Sequence, residues 1–293
     1  MKFSIIINKW TNFYFFVQNL SESHPNSRKD YNVLWRRELG KFSTEEEGSL
    51  KRFKEIRLKY LESKSCFEKA FFLSENPLEE LTLTLLKEEY QIVRNTFSLL
   101  ENKFNSLYEK DLLLLNRWQE TLDKVANNQK LTETILVFLN ALYKTSVRGK
   151  EVNVYLLFSN QERTGGGANI DNQSISVEVS NYPLKNIGNV LGVIWHETTH
   201  LLFQNHYFYP LVLQYFHGDQ KTADFINEIV ISSLFPRGIL GIRLLKNKPP
   251  VTLSSKINPQ QTIEILNLIK KYIDQKMALD ENYIAQLHSI IKK

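Results

Sequence analysis

The chain is expected to fold as an α+β protein, predominantly helical, on three observations. Between residues 43 and 143 apolar side chains recur every three or four positions, as in Ile92, Val93, Phe97, Leu100, Phe104 and Leu107. That is the period of one buried helix face. At Val147-Arg148-Gly149-Lys150 the pattern changes. Glu151 to Phe158 reads as a strand, and Ser174 to Ser180 alternates strictly, with Ile175, Val177 and Val179 on one face. From Ile187 the helical pattern returns. The expected organisation is an N-terminal, mostly helical region over 1–130 and a domain with a small β-sheet over 131–293. The boundary is soft, and the two can form one compact unit.

The elements follow in order. Residues 3–7 predict a short strand and Thr11–Leu20 a helix. Ser21–Tyr31, with His24-Pro25-Asn26 inside it, predicts a loop, and Val33–Leu39 a short helix ending at Gly40. Ser43-Thr44-Glu45-Glu46-Glu47 is a helix start, a hydroxyl cap followed by acidic groups at the positive end of the helix dipole. That helix runs to the break at Asn76-Pro77. Leu78–Leu86, Tyr90–Tyr108, Asp111–Val125 and Leu131–Tyr143 predict four more helices. After the first central strand, residues 160–173 predict a loop containing Gly165-Gly166-Gly167, a triplet without the Lys and Ser/Thr of a phosphate loop. This loop either links two strands or forms a rim over a cleft. Tyr182-Pro183 ends the second strand. Helices are then expected over Ile187–Gln204, Asp219–Leu234, Pro259–Met277 and Glu281–Lys292, with a turn at Pro249-Pro250.

Composition excludes several classes. The net charge is +5, but basic and acidic residues are interleaved, as in Lys51-Arg52-Phe53-Lys54-Glu55. No basic block marks a nucleic-acid groove. Cys66 is the only cysteine, so no intrachain disulfide can form. Asn8 and Lys9 interrupt the apolar N-terminus, and no stretch is expected to supply the roughly 20 apolar residues of a membrane span. A soluble, cytoplasmic protein is expected, acting on a peptide or protein.

The chemistry concentrates in His196-Glu197-Thr198-Thr199-His200, set in an apolar helix. Residues four apart share a helix face, so both imidazoles can bind one zinc ion. Glu197, beside the first imidazole, can take a proton from a water on that ion. The alternative is two surface histidines flanking a glutamate. A catalytic zinc site needs a third protein ligand, and the residues leave two candidates. Glu228 lies in the amphipathic segment Phe225–Ser233. His206 completes His196-x-x-x-His200-x-x-Phe203-x-x-His206, the ligand spacing of the metzincin clan. That clan has glycine where Phe203 stands and needs a methionine turn, whereas Met277 lies in a helical stretch.

An H-E-x-x-H helix followed by a second helix carrying Asn227-Glu228 resembles the gluzincin clan of zinc peptidases, the thermolysin-like group, over roughly residues 150–235. The resemblance implies a zincin-like catalytic domain, Zn2+ as cofactor, His196, His200 and Glu228 as ligands, and Glu197 as general base. It implies an exposed edge strand for substrate just before the motif helix, the place of Ser174, Ser176 and Glu178. It also implies an oxyanion-stabilising tyrosine or histidine, for which Tyr207, Tyr209, Tyr215 and His217 stand between the two ligand helices. The chain departs from the clan at Ser232, where an aspartate normally braces a zinc histidine, a role left to Asp224. The downstream catalytic histidine is also unmatched, since His288 lies in the terminal helix. The competing function is a non-catalytic helical interaction or regulatory protein with a metalloprotease-like domain. A third is zinc hydrolysis of a non-peptide amide.

Overall fold

Phe3 and Ile5 are buried while Lys2 is exposed, the alternation that makes strand β1 (Lys2–Ile6). A computed structural model of the chain describes residues 1–24, 27, 29–61, 66–159, 165–169, 171, 173–180 and 187–293. The breaks expected at Pro25-Asn26 and Tyr182-Pro183 lie outside them. Strand β1 pairs in parallel with β2 (Glu151–Ser159), with Phe3 opposite Val152. Two further strands, β3 (Gly166–Asn169) and β4 (Ser174–Ser180), complete a mixed sheet in the order β1-β2-β4-β3. The fold is α+β and mostly helical, as expected. Because β1 belongs to this sheet, the sheet crosses the soft boundary at residue 130.

Among the described residues, seven helices run between β1 and β2: α1 (Lys9–Leu20), α2 (Lys29–Leu39), α3 (Thr44–Lys59), α4 (Cys66–Leu73), α5 (Pro77–Leu81), α6 (Lys87–Ala126) and α7 (Gln129–Leu142). Ser43 caps α3, accepting from Glu46 N at 3.1 Å while the Glu46 carboxylate accepts from Ser43 N at 2.7 Å. The long helix α6 corrects the expectation of two helices meeting near Lys110-Asp111. Its buried residues, from Val93 through Leu107 and on through Leu115 and Trp118 to Ala126, keep one stripe through that point. No proline or glycine interrupts the stripe, so the helix continues for 40 residues. Phe13 of α1 stacks on Phe104 at 4.3 Å and meets Phe97 edge-on at 4.8 Å, locking α1 to α6.

The two edges of the sheet differ. On the β1 side, side-chain amides stand in for a further strand. Asn127 accepts from Phe3 N at 2.8 Å and donates to Phe3 O at 2.9 Å, and Gln119 donates to Ile5 O at 2.7 Å. Past the end of β1, Asn12 does the same for β2, donating to Leu156 O and accepting from Phe158 N. That edge is closed to further pairing. The β3 edge has no such cover from side-chain amides among the described residues.

After the sheet come α8 (Ile187–Leu202), a short 3-10 turn over Gln204–His206, α9 (Phe208–Tyr215), α10 (Gln220–Leu234), α11 (Ile239–Leu245), α12 (Pro259–Asp274) and α13 (Glu281–Ile291). One hydrophobic core runs from Phe3 to Leu287. Trp195, fully buried in α8, meets Phe3 edge-on at 5.2 Å and fixes this helix beneath the sheet. Truncating a ring so placed costs about 3–5 kcal/mol. The stretch Gln220–Leu245 is apolar and long enough to cross a membrane, but most of it is buried inside the protein, and α10 and α11 divide it.

Candidate metal centre

The motif helix α8 buries Val190, Ile194, Trp195 and Thr198, which turns His196 and His200 outward together. The buried Thr198 and Thr199 hydroxyls donate to Ile194 O and Trp195 O at 2.7 Å, so neither is left unpaired. Gly192 has a packing reason: a Cβ there would lie 2.6 Å from Pro236 Cα. The absence of that side chain lets the segment after α10 cross close to α8. There Phe235 O sits 3.1 Å from His196 Nδ1. A carbonyl only accepts, so Nδ1 carries a proton and, in the neutral ring, Nε2 presents a lone pair. His200 is oriented likewise, its Nδ1 2.5 Å from Gln204 Oε1.

Helix α10 begins at Asp219, whose carboxylate accepts from Thr222 N at 3.3 Å and Thr222 Oγ1 at 2.7 Å. It buries Ala223, Ile226, Val230 and Leu234, and carries Glu228 toward the two imidazoles. His196 Nε2 and His200 Nε2 lie 3.2 Å apart. Glu228 Oε1 is 3.4 Å from the first and Oε2 is 3.2 Å from the second. Ligand atoms about 2.0–2.2 Å from one tetrahedral zinc stand about 3.3–3.6 Å from each other. The donor set, two imidazoles and a carboxylate, is also one that zinc takes. These three residues therefore fit a zinc ion in both spacing and chemistry. Ser232, where the gluzincin pattern has an aspartate, donates to Glu228 Oε1 at 3.1 Å, bracing the carboxylate instead of a histidine.

Charge is concentrated here. Burial disfavours the His196 imidazolium, but the hydrogen bond to Glu228 and the charges of Glu197 and Glu228 outweigh it and lift its pKa to about 9. Burial pushes Glu228 up, yet the two imidazoles pull harder and hold it well below the usual carboxylate range. Glu197 is 8% exposed, and burial raises its pKa against the pull of both histidines.

The three groups open onto a cleft of about 600 Å³, a size suited to a ligand. Its near wall is α8 and α10. Its far wall comes from the N-terminal half: Tyr14, Phe15 and Gln18 of α1, and Glu68 and Phe72 of α4. Between them lies β3. Gly165 O accepts from Glu178 N at 2.9 Å, and Gly167 stands opposite Ser176. In an antiparallel pair, alternate residues turn their backbone groups to opposite sides. Gly166 and Ala168 therefore turn theirs away from β4, toward a side where no strand pairs among the described residues and where the Ala168 N–H meets the Glu197 carboxylate.

Several expected site residues need correction. Ser174, Ser176 and Glu178 are not on an edge, because β4 is paired with β2 on one side and β3 on the other. The glycine-rich segment, expected as loop, folds back antiparallel and becomes the edge itself. Ser176 and Glu178 still face the cleft, but Tyr31 donates to the Glu178 carboxylate. Tyr207, Tyr209, Tyr215 and His217 do not line the cleft. Tyr209 donates to Asp224 at 2.5 Å, which occupies the carboxylate considered as a brace. Tyr215 meets the His288 ring at 6.4 Å, because α9 packs on α13. Lys144 covers the Tyr207 ring at 4.6 Å. His206 sits in the 3-10 turn outside the cluster of His196, His200 and Glu228.

Tyr14, Gln18, Glu68 and Gln204 are cleft or bracing residues that the linear pattern did not mark. For Gln204 a signal existed: it stands four residues after His200, the spacing of one helical face, although α8 itself ends at Leu202. No protein-family model, curated protein or solved structure matches the chain.

Proposed function

We propose that the protein is a zinc-dependent peptidase with a gluzincin-type, zincin-like site, in which His196, His200 and Glu228 hold the metal and Glu197 is the general base. The observation that carries this reading is the convergence of three side chains from two helices: the His196 and His200 Nε2 atoms lie 3.2 Å apart, and each has one Glu228 oxygen at 3.4 or 3.2 Å. An ion pair alone needs one histidine. Two imidazoles converging on one carboxylate, each with its Nδ1 engaged elsewhere, fit a metal centre better.

When bound, zinc supplies a Lewis acid and a water of lowered pKa. The chain does the rest. A peptide lies extended along β3, its backbone pairing with the outward groups of Gly166 and the Ala168 C=O, while the Ala168 N–H stays on Glu197. Glu197 takes a proton from the water that attacks the scissile carbonyl and delivers it to the leaving nitrogen. The apolar packing around Glu197 raises the basicity of its carboxylate, which favours that proton transfer.

The test is zinc content of dialysed protein, followed by hydrolysis of a fluorogenic peptide library. Wild type and His206→Ala are expected to carry one zinc per chain, and His200→Ala and Glu228→Ala none. Glu197→Gln is expected to keep zinc while kcat falls by about 10²–10⁴. Loss of zinc in His206→Ala but not in Glu228→Ala would move the site to the metzincin arrangement. Stoichiometric zinc with no hydrolysis of any peptide would favour a non-catalytic interaction protein. Wild type without zinc after reconstitution would remove the reading altogether.

A further inference from the structure

Three glycines run together before β4, and only one of them is pressed against the motif helix. A Cβ built on Gly166 would lie 2.7 Å from Val193 Cγ1, 2.9 Å from Glu197 Cγ and 3.0 Å from Glu197 Oε1. Carbon atoms in van der Waals contact stand about 3.5–4.0 Å apart, so something would have to move. At Gly167 a Cβ would meet only Ser176 Oγ, at an ordinary 3.4 Å. At Gly165 it would meet the end of the Glu178 side chain, no closer than 3.2 Å.

Gly166 has no conformational reason to be glycine. Positive φ among the described glycines occurs at Gly40, Gly149 and Gly218, not here. Glycine weakens a strand, and Gly166 is itself exposed, so packing within the sheet does not call for it either. What remains is the close approach of β3 to α8. Val193 is buried and β-branched, hence stiff about χ1, and Glu197 is buried one turn further along the same helix. Neither can retreat freely. The strand touches this carboxylate a second time, since the Ala168 backbone N–H faces it and favours its charged form.

We propose that Gly166 is a positioning residue for Glu197: its missing side chain lets the edge strand lie against the glutamate and fix where the carboxylate points. The inference rests on the peptidase reading for the role of Glu197, but the contact itself does not. A side chain at 166 shifts Val193 and Glu197 and leaves the ligand atoms of His196, His200 and Glu228 untouched. Displacing a reacting group by 1 Å can cost on the order of 10²-fold in rate.

The experiment combines a thermal double-mutant cycle with kinetics on fluorescein-labelled casein, using the full chain. Gly166→Ala is expected to keep one zinc per chain and to lower Tm by about 3 °C or more. In a Glu197→Ala background, which removes the Cγ at 2.9 Å, that penalty is expected to fall by about half or more. The kcat of Gly166→Ala is expected to fall between about 10- and 100-fold, with KM within about threefold. Gly167→Ala shows what a side chain on the same strand does to Tm without that contact. If Gly166→Ala does not fold, Gly166→Ala/Val193→Ala, which lacks the nearest collision, carries the same readouts. An equal thermal penalty in both backgrounds, or wild-type kcat in Gly166→Ala, would overturn the proposal. A wild type that binds no zinc and cleaves nothing defeats the peptidase reading, and the thermal cycle then still decides whether Gly166 positions Glu197.

Discussion

Two trios of polar side chains stand at opposite walls of the same cleft, one of them with Arg57 behind the lining Tyr14 and Glu68, and they are built on opposite plans. On the far wall, Arg57 Nε donates to Tyr14 Oη at 2.8 Å, Arg57 Nη2 to Glu68 Oε1 at 2.5 Å, and Tyr14 Oη to Glu68 Oε1 at 2.8 Å. One cation meets one anion, and the phenol closes the triangle. On the near wall, His196, His200 and Glu228 turn acceptor-capable atoms toward one point, and the donors of both rings are spent outside the trio. The first arrangement is complete without any further group. The second is complete only with a cation among its atoms, a metal or a proton. Sequestered groups that satisfy one another hold a fold together. Two imidazoles that converge on one carboxylate with their other nitrogens engaged elsewhere are the arrangement on which the metal proposal rests.

The largest expected effect tests the far wall. The Arg57 side chain is 4% exposed and that of Glu68 18% exposed. Arg57→Met leaves the shielded Glu68 carboxylate without its cation, with only the Tyr14 hydroxyl still donating to it, and is expected to destabilise the protein by about 3–5 kcal/mol in urea unfolding. Zinc stoichiometry of the folded fraction should not change. On the near wall, Glu228 is half exposed, so its ion pairs are screened and each contributes at most about 1 kcal/mol. His200→Ala should therefore shift metal-free stability by less than about 1 kcal/mol while abolishing stoichiometric zinc. Equal destabilisation by the two substitutions would erase the distinction between the walls.

A smaller effect sharpens the near-wall account. The brace on His196 is the backbone carbonyl of Phe235, beyond the reach of substitution, but the brace on His200 is the side chain of Gln204. Gln204→Ala should weaken zinc binding by about 10–100-fold in competition with a chelator, with little change in unfolding. Unchanged affinity would mean that packing alone orients the His200 ring.

What was legible in the chain follows the same division. His196, Glu197 and His200 could be named because helical spacing puts chemistry on a face, and a helix is a local object; Glu228, on a second helix, followed only from the resemblance to the gluzincin clan. Strand β4 could be seen as a strand, but its place in the sheet could not. Order in a sheet is set by pairing partners, and Gly166–Asn169 carries no alternation to announce a strand. The far wall was not legible at all, since Tyr14 and Glu68 reach the cleft from more than a hundred residues before the motif. The aromatic candidates failed for a related reason. Tyr207 and Tyr215 are close to the ligand helices in sequence, yet Phe208 and Phe216 anchor α9 on Tyr283 and His288 of α13 and carry it away.

A pH-dependent effect concerns a carboxyl that belongs to neither plan. Asp111 projects from the middle of α6 beside a notch lined by Phe16, Trp35, Phe104 and Tyr108. Burial raises its pKa to about 8, the negative Glu38 adds to the rise, and Lys110 only partly opposes it. An acid whose folded pKa is raised binds its proton more tightly when folded, so folding is favoured most where the proton is present in both states. That contribution is intact below about pH 3.8, shrinks as pH rises through the interval up to about 8, and is gone above it. Asp111→Asn imitates the protonated side chain at every pH. Its Tm should match the wild type near pH 4 and exceed it increasingly toward pH 9, as read by parallel thermal melts. Coincident curves across that range would mean that water reaches the carboxylate and spares it the cost of burial. A mutant less stable at pH 9 would mean that the ionised Asp111 has a favourable partner, and the helix would then owe its unbroken passage at Lys110-Asp111 to a charge interaction as well as to its apolar stripe.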